Sequence, residues 1–403
     1  MTDHEDPEMD AFRQETAEWL ADNCPESMRG PLAPGESAPG GGRRFFDEPS
    51  DARRWLELMG GRGWVVPEWP EQLGGADLDR QRMKVLREEL RRIGARPPLA
   101  ELNTGIKMLA PILFAHGSEK QQHQFLPPIA RGRVRWCQGY SEPEAGSDLA
   151  ALRTRAVLAG DHYLVNGHKI WSSYAHISDW IFCLVRTGDD KRGGISFLLI
   201  DLESPGITVE PITLLSGRSD FCEVHFSDVA VPRDQLVGEP GGGWPIAKSL
   251  LAHERAMLGS AGGGLSGGGS RSASLASIVA TALRDRADES DGLADRFGAH
   301  LAELHALKAT TTRFAQERRT DPAVPSIVKL VSTELNMKRE DLLGELLGLD
   351  AMTWDGDAAT HDGTTRARAW LRSRANSIEG GTSEVQLNII AKHGLGLPQA
   401  ATS

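Results

Sequence analysis

The spacing of apolar side chains changes twice along this chain, and that change limits its possible folds more than any other feature. Up to about residue 130, and again after Gly243, apolar residues recur every three or four positions, which indicates amphipathic helices. Between these regions apolar and polar residues alternate, as in half-buried strands. The sequence therefore predicts an α+β fold with three domains: helices at 1–132, an antiparallel β-barrel or sandwich at 133–240, and helices at 241–403.

Most of the helices are predicted from this spacing alone. Met83, Leu86, Leu90 and Ile93 lie on one face of a helix whose other face is charged, and Ser118 is a good N-cap for a later one. Ser383 and Gln386 have capping-box spacing at the start of the last helix, and the polar stretch Asp350–Thr365 is expected to be irregular. The other expected helices are Asp10–Asn23, Asp51–Gly60, Leu109–His116, Glu119–Pro127, Trp244–Leu258, Ser274–Asp285, Ala294–Gln316 and Val324–Leu347.

Asn166-Gly167 is the clearest turn signal in the middle region. Both central positions of a two-residue hairpin need positive φ, which this dipeptide tolerates well. We therefore expect a hairpin between Tyr163–Val165 and His168–Trp171. Further strands are expected at Trp180–Val185, Ile195–Ile200, Phe221–Phe226 and Val229–Val231, the last ended by Pro232.

Composition excludes several classes of protein. The net charge of −11, without a long basic run, argues against a nucleic-acid-binding surface. No apolar stretch approaches the roughly 20 residues that span a bilayer, and the acidic start, Met1–Asp10, does not resemble a secretory signal. The four cysteines lie far apart with no CxxC pair, so we expect reduced thiols in a cytoplasmic protein and no metal site.

The segment Trp136–Asp148 is the strongest candidate for a binding site. Pro143 fixes its own φ, and Gly146 gives a flexible corner that another backbone or a ligand can approach. Such a turn leaves N–H groups free for an anion or a planar heterocycle. The alternative is an ordinary polar loop capped by Asp148.

Three segments together resemble the acyl-CoA dehydrogenase family of flavoproteins: Trp136–Asp148, Asn166–Trp171 and Ser377–Pro398. The resemblance extends over essentially the whole chain. It implies a C-terminal four-helix bundle and FAD in a cleft between the last two domains and a neighbouring subunit. It also implies an acyl-CoA substrate, an electron-transferring flavoprotein as acceptor, and a homodimer, homotetramer or heterotetramer.

The same resemblance assigns cofactor and substrate residues. Helix N-termini attract anions, so the start of the last helix suits the adenosine-diphosphate end of FAD. The hydroxyl of Ser173 replaces that of a family threonine that can bond flavin N5. Ser147 is expected at the pyrophosphate or CoA, and His253 and Gly381 beside the substrate. The flavin contacts implied are Gln138, Gly139, Tyr140, Ser141, Gly146, Ser147, Trp171, Ser172, Ser173, Glu345, Thr382 and Glu384.

The implied reaction is α,β-dehydrogenation of the thioester, in which a carboxylate takes the α-proton and flavin N5 takes the β-hydride. The Gly380 N–H is the expected donor to the developing enolate. Well-known members carry the base as Glu-Gly-Thr, but here the sequence is Gly380-Gly381-Thr382. Another branch carries it on the helix after the β domain, which assigns Glu254, followed by Arg255. Glu379 is the rival base.

Two departures from the family pattern favour alternatives. The Arg-x-x-Phe-Gly segment that reaches the neighbouring subunit's FAD is absent from Gly259–Ser272, and Arg271 and Arg284 are only loose substitutes. A Gln-x-x-Gly-Gly segment becomes Glu345–Leu349, where a glutamate would repel a pyrophosphate. These losses resemble members acting on bulky, often steroid-derived, CoA thioesters, some of them heteromeric. A second hypothesis is therefore that the chain is a flavin-poor partner subunit of such a heteromeric enzyme. A third hypothesis is a flavin monooxygenase or nitroalkane-type oxidase.

Overall fold

The computed structural model describes residues 7–32, 38–100, 103–260, 292–316, 323–354 and 361–398, with backbone only at 252–260, 315 and 361–364. The chain divides into two compact units. Among the described residues, the first contains 7–32, 38–100, 103–211 and 221–250, and the second contains 212–220, 251–260, 292–316, 323–354 and 361–398.

The first unit begins with amphipathic helices packed around tryptophans. Trp55 is fully buried, and Trp19 and Trp64 lie edge to face with ring centroids 4.8 Å apart. Ser118 caps its helix as expected, in a capping box with Gln121. The helices are α1 (Pro7–Asn23), α2 (Asp51–Gly61), α3 (Arg80–Arg92), α4 (Ala110–His116) and α5 (Glu119–Ala130).

One eight-stranded sheet follows in the same unit. The hydrogen-bonded order is β6-β7-β3-β2-β4-β5-β8, and β1 pairs in parallel with β4. Its core face is apolar, with Val165, Val224 and Ile181 fully buried. The strands are β1 (Trp136–Gly139), β2 (Arg155–Ala159), β3 (His162–Ser173), β4 (Trp180–Arg186), β5 (Ile195–Asp201), β6 (Ile207–Ile212), β7 (Phe221–Pro232) and β8 (Leu236–Val237).

The hairpin predicted at Asn166-Gly167 is wrong. These residues lie inside the continuous strand β3, at a register shift opposite β7, and the chain reverses before β3 at Gly160, whose φ is +70°. The Asn166 amide donates to Asp228 Oδ1 at 2.9 Å across the sheet. Gly167 is needed because a Cβ there would lie 2.4 Å from Thr154 Oγ1. The dipeptide thus marks a bulge and a close approach between two segments of the chain, and glycine is common at both kinds of position.

The second unit is mostly helical in its described part, apart from residues 212–220. Phe297, Leu342, Leu343 and Leu346 form an apolar core there. Two expectations need correction. A helix starts at His361, inside the stretch expected to be irregular, and Thr382 rather than Ser383 caps the last helix. The helices after the sheet are α6 (Gly243–Ser260), α7 (Leu293–Gln316), α8 (Val324–Leu347), α9 (His361–Ser373) and α10 (Ser383–Ile389).

The other helix boundaries agree with the prediction to within a few residues. The helix expected at Ser274–Asp285 lies outside the described residues. Among the described helices, none combines the length and apolarity needed to cross a membrane.

Candidate active site

The segment after β1 alternates between core and surface. Gly139 and Tyr140 are buried, and Tyr140 packs edge to face with Phe182 and Phe197. Gln138 and Ser141 are partly exposed. Since the Ile170 N–H donates to the Ser141 carbonyl at 3.0 Å, this segment is fixed beside the end of β3.

A buried ion pair holds these two segments together. Lys169 is fully buried, and its Nζ lies 2.7 Å from Glu142 Oε1 and donates to the Tyr140 carbonyl at 3.1 Å. Glu142 also accepts from the backbone N–H groups of Arg153 and Thr154, at 2.6 and 2.9 Å. Burial opposes ionisation of Glu142, but the Lys169 charge and these hydrogen bonds together keep its pKa below the usual value. The pair therefore fixes the corner of Trp136–Asp148 as a rigid structure.

Trp171 has an unusual backbone conformation. Its φ is +62°, which is strained for a bulky residue, and it lies in a register shift between β3 and β7. The bulge turns the indole outward, so that 53% of the residue is exposed. Its ring contacts Phe221 edge to face at 6.2 Å. Strain of this kind persists where the surrounding structure imposes it, and it is common at ligand sites.

The other candidate residues of the sheet domain differ in exposure. Ser172 is fully buried opposite Cys222, and its hydroxyl has no hydrogen-bond partner among the described residues. Ser173 is partly exposed. Gly146 and Ser147 are exposed, and a Cβ at Gly146 would meet no atom within 4 Å. Ser141, Trp171 and Ser173 are thus all at least partly exposed, on two segments that the Ile170–Ser141 hydrogen bond joins.

In the second unit, Gly380 and Gly381 form a turn whose carbonyl groups accept hydrogen bonds from side chains. Their φ values are +65° and +93°. Lys329 is fully buried and donates to the Gly381 and Asn376 carbonyls at 2.8 and 3.0 Å. The Gln386 amide donates to the Gly380 carbonyl at 3.0 Å. With both carbonyls turned inward, the Gly380 N–H donates to no atom in the described part of the chain.

Glu379 already has partners. Its Oε2 lies 2.7 Å from the Arg372 guanidinium, and its Oε1 accepts from the Asn376 amide. Both members of the ion pair are largely buried, with 17% of the Glu379 side chain and 11% of that of Arg372 exposed. Both oxygens of the Glu379 carboxylate are therefore already bonded to side chains of the same unit.

The start of α10 has a regular cap. The Thr382 hydroxyl accepts from the Val385 N–H at 3.2 Å. Hydrogen bonds from its own backbone and from Thr382 lower the pKa of the exposed Glu384 carboxyl. The hydroxyl assigned to the cofactor therefore serves first as an N-cap.

Two more assignments concern charge. Glu345 on α8 pairs with Arg296 on α7, with Nη1 and Oε1 3.0 Å apart, so its charge is already partly offset. His253, Glu254 and Arg255 lie on α6, but their side chains are outside the described residues, as are Arg271 and Arg284 altogether.

Sequence reasoning missed the two buried lysines. Lys169 and Lys329 look like surface residues in an amphipathic pattern, and lysine is rarely buried. A usable signal exists for Lys329, which lies among apolar and small residues in Val324–Leu335, where a solvated helix face would carry more charge. Lys169 gives no comparable signal, because its partner Glu142 is 27 residues away on another segment.

Three family models match successive parts of the chain: the acyl-CoA dehydrogenase N-terminal domain at 42–133, the middle domain at 137–229 and the C-terminal domain at 241–395. A curated relative, "Acyl-CoA dehydrogenase IpdE1" of Mycobacterium tuberculosis, is 34% identical over 403 aligned positions. That alignment covers 98% of this chain and 99% of the relative. The fold predicted from the sequence is thereby confirmed.

Solved structures agree. The "Tcur3481-Tcur3483 steroid ACAD" has a TM-score of 0.72 at 27% identity, covering 99% of this chain and 100% of the other. The "ChsE4-ChsE5 complex from Mycobacterium tuberculosis" has a TM-score of 0.68 at 28% identity, with the same coverage. The chain therefore belongs to the acyl-CoA dehydrogenase family of oxidoreductases.

Proposed function

We propose that this chain works as an FAD-dependent acyl-CoA dehydrogenase that converts an acyl-CoA thioester to the trans-2-enoyl-CoA. The observation that carries the proposal is Trp171. A half-exposed tryptophan in a left-handed conformation is strained, and its apolar surface is costly to leave in water unless a planar partner covers it. The family resemblance assigns that position to the flavin. The direct test is mass spectrometry of acyl-CoA substrates after incubation, where the product has lost two hydrogens.

The described residues fit a flavin at the ring end. Trp171 offers an exposed aromatic ring, Ser173 follows it by two positions, and Ser141 is joined to Ile170 by a backbone hydrogen bond. FAD, when bound, supplies the acceptor for the β-hydride. In the second unit the Gly380 N–H, which donates to no atom among the described residues, suits the thioester carbonyl, whose oxygen gains charge as the α-proton leaves. Thr382 and Glu384 would hold the adenosine-diphosphate end.

Glu254 is the base we propose. The surroundings of the rival base, Glu379, support this. Its two carboxylate oxygens already contact Arg372 and Asn376. A general base must come within hydrogen-bond reach of the proton that it removes, and these two bonds hold the Glu379 carboxylate in place. Glu254→Gln should abolish turnover while FAD remains bound, and Glu379→Gln should retain turnover. The reverse pattern would assign the base to Glu379.

We propose a bulky, steroid-derived acyl group as the substrate class. The absence of the Arg-x-x-Phe-Gly segment supports this, as do solved relatives whose titles name a steroid enzyme and a two-component complex. A panel of short, branched, long-chain and steroid CoA thioesters with an artificial acceptor tests it. Turnover confined to the short chains would refute it.

The loss of that segment also favours the second candidate, a partner subunit that holds no catalytic flavin of its own. The FAD content of the chain purified alone, and then with a co-expressed related subunit, separates the two. One FAD per chain alone supports the self-sufficient enzyme. A colourless chain that becomes yellow and active only in the pair supports the partner role.

The remaining parts of the proposal concern setting. We propose an electron-transferring flavoprotein as electron acceptor, at least a dimer as assembly, and domain limits at 132/133 and 240/241. A cytoplasmic location is supported by the four cysteines, all buried and none in a disulfide. Reduction of a purified electron-transferring flavoprotein by enzyme and substrate tests the acceptor.

A further inference from the structure

Two histidines and a glutamate meet on the face of the sheet opposite its core. His168 on β3 is in register with His225 on β7, and Glu223 precedes His225 by two positions, so all three side chains share one face. The core face carries the alternate residues Cys222, Val224 and Phe226. The three side chains are 31%, 33% and 38% exposed, so the cluster lies at the surface, although His168 Nε2 itself is buried.

The distances within this cluster suit a shared ligand. Glu223 Oε2 lies 2.6 Å from His168 Nε2 and 3.7 Å from His225 Nε2. One ligand atom from each residue lies within 4.8 Å of the other two. The imidazole rings are stacked with centroids 4.1 Å apart, and both Nε2 atoms lie near the same oxygen of Glu223.

The His168 nitrogen has an unsatisfied lone pair or N–H. His168 Nε2 is buried, and despite the short approach of Glu223 it has no partner with hydrogen-bond geometry among the described residues. The carboxylate oxygen therefore lies off the direction in which Nε2 points. Buried polar atoms without a partner are costly, so an atom that satisfies this one would be stabilising.

We propose that His168, Glu223 and His225 bind a divalent transition-metal ion, with Zn²⁺ the best match. Two imidazoles and one carboxylate form a known three-residue zinc ligand set, which leaves the fourth position to water. Ligand atoms around tetrahedral zinc lie about 3.3 Å apart, given bond lengths of about 2.0 Å. The separations here bracket that value, so small side-chain rotations close the site. The proposal is independent of the flavin chemistry.

This site cannot be predicted from the sequence, because it depends on cross-strand register. His168 and His225 are separated by 57 positions, and only the β3–β7 pairing brings them together. Cysteine thiols, the usual competing ligands for zinc, are poorly placed to bind it here. All four cysteines are buried, and burial raises the pKa of their thiols, to about 11 for Cys183. Thiols that stay protonated are poor ligands.

The test is a titration of the full-length, untagged, chelator-treated protein with Co²⁺, a spectroscopic substitute for Zn²⁺, followed by displacement with Zn²⁺. We expect one saturable equivalent with the visible absorption of a low-coordinate cobalt site. His168→Gln and His225→Gln should each weaken binding by at least about tenfold, which is about 1.4 kcal/mol. Glu223→Gln should do the same.

His162→Gln is the matched control, since His162 lies on the same strand beside Asp161 and outside the cluster. It should bind cobalt like the wild type. Circular dichroism and the unfolding midpoint without metal identify variants that fail to fold, and any one well-folded cluster variant suffices for the comparison. No saturable cobalt binding, or binding that the cluster variants leave unchanged, would overturn the proposal.

Discussion

Removing one partner of the Glu142–Lys169 ion pair should destabilise the sheet domain much more, relative to the loss on removing both, than independent contributions would predict. With 0% of the Lys169 side chain and 8% of that of Glu142 exposed, removal of either partner leaves a buried charge. At 2.7 Å and an effective dielectric constant of about 20, the attraction is about 6 kcal/mol, most of which offsets desolvation. Breaking such a pair costs about 3–5 kcal/mol.

The two single substitutions should differ in degree. Lys169→Met leaves Glu142 its two backbone donors, so we expect a loss of about 3 kcal/mol in the free energy of unfolding. Glu142→Gln leaves the ammonium with the Tyr140 carbonyl, so we expect about 4 kcal/mol. The double variant should lose only about 4 kcal/mol in total, because no charge remains buried, which gives a coupling energy of about 3 kcal/mol.

The assay is urea unfolding of the four proteins, followed by both circular dichroism and tryptophan fluorescence. The exposed pair Lys191–Asp148, 3.0 Å apart with side chains 64% and 62% exposed, is the matched control. Lys191→Met and Asp148→Asn should each change the free energy of unfolding by less than about 1 kcal/mol. A coupling energy below about 0.5 kcal/mol for Glu142 and Lys169 would refute the reasoning.

Three further predictions concern the same domain. Gly167→Ala should lower the free energy of unfolding by about 2 kcal/mol in urea, because its Cβ would lie 2.6 Å from Thr154 Cα; an unchanged midpoint would contradict this. Trp171→Gly should weaken FAD binding at least about tenfold in a fluorescence titration, since about 1.4 kcal/mol of ring contact is lost. Its φ suits glycine, so the FAD-free protein should unfold within about 1 kcal/mol of the wild type, whereas a large loss there would mean a purely structural tryptophan. Glu142 has a lowered pKa in the folded state, so its stabilisation is present above the unfolded value of about 4.3 and is lost as pH falls through the folded value; acid unfolding of Lys169→Met should therefore begin at higher pH than in the wild type, and coincident acid curves would refute this.

The sequence predicted most of the fold because hydrophobic period is a local property. Val324–Leu347 was predicted with both ends correct, and the Ser118 cap followed from residues three positions apart. Asn166-Gly167 failed for the opposite reason. Glycine is required at position 167 because Thr154, which lies outside the strand, packs against it. A rule that uses only neighbouring residues cannot predict that contact.

The candidate site residues divide in the same way, into those that lie within one motif and those that depend on contacts distant in sequence. Trp171 and the Gly380-Gly381 turn can be proposed from motifs, because the residues of each motif are adjacent in the chain. The lysines that fix these segments, Lys169 and Lys329, were not found, since each contacts backbone far away in sequence, 29 residues to Tyr140 and 52 to Gly381. Tertiary contacts of that range are invisible to spacing.

The most direct test of the proposed chemistry is anaerobic mixing of the FAD-loaded protein, alone or with its paired subunit, with the CoA thioester that gives the highest turnover. We predict rapid loss of the flavin absorbance in the wild type and in Glu379→Gln, formation of the enoyl-CoA in equal amount, and no loss in Glu254→Gln. Flavin that stays oxidised in the wild type with every thioester of the panel would contradict the account.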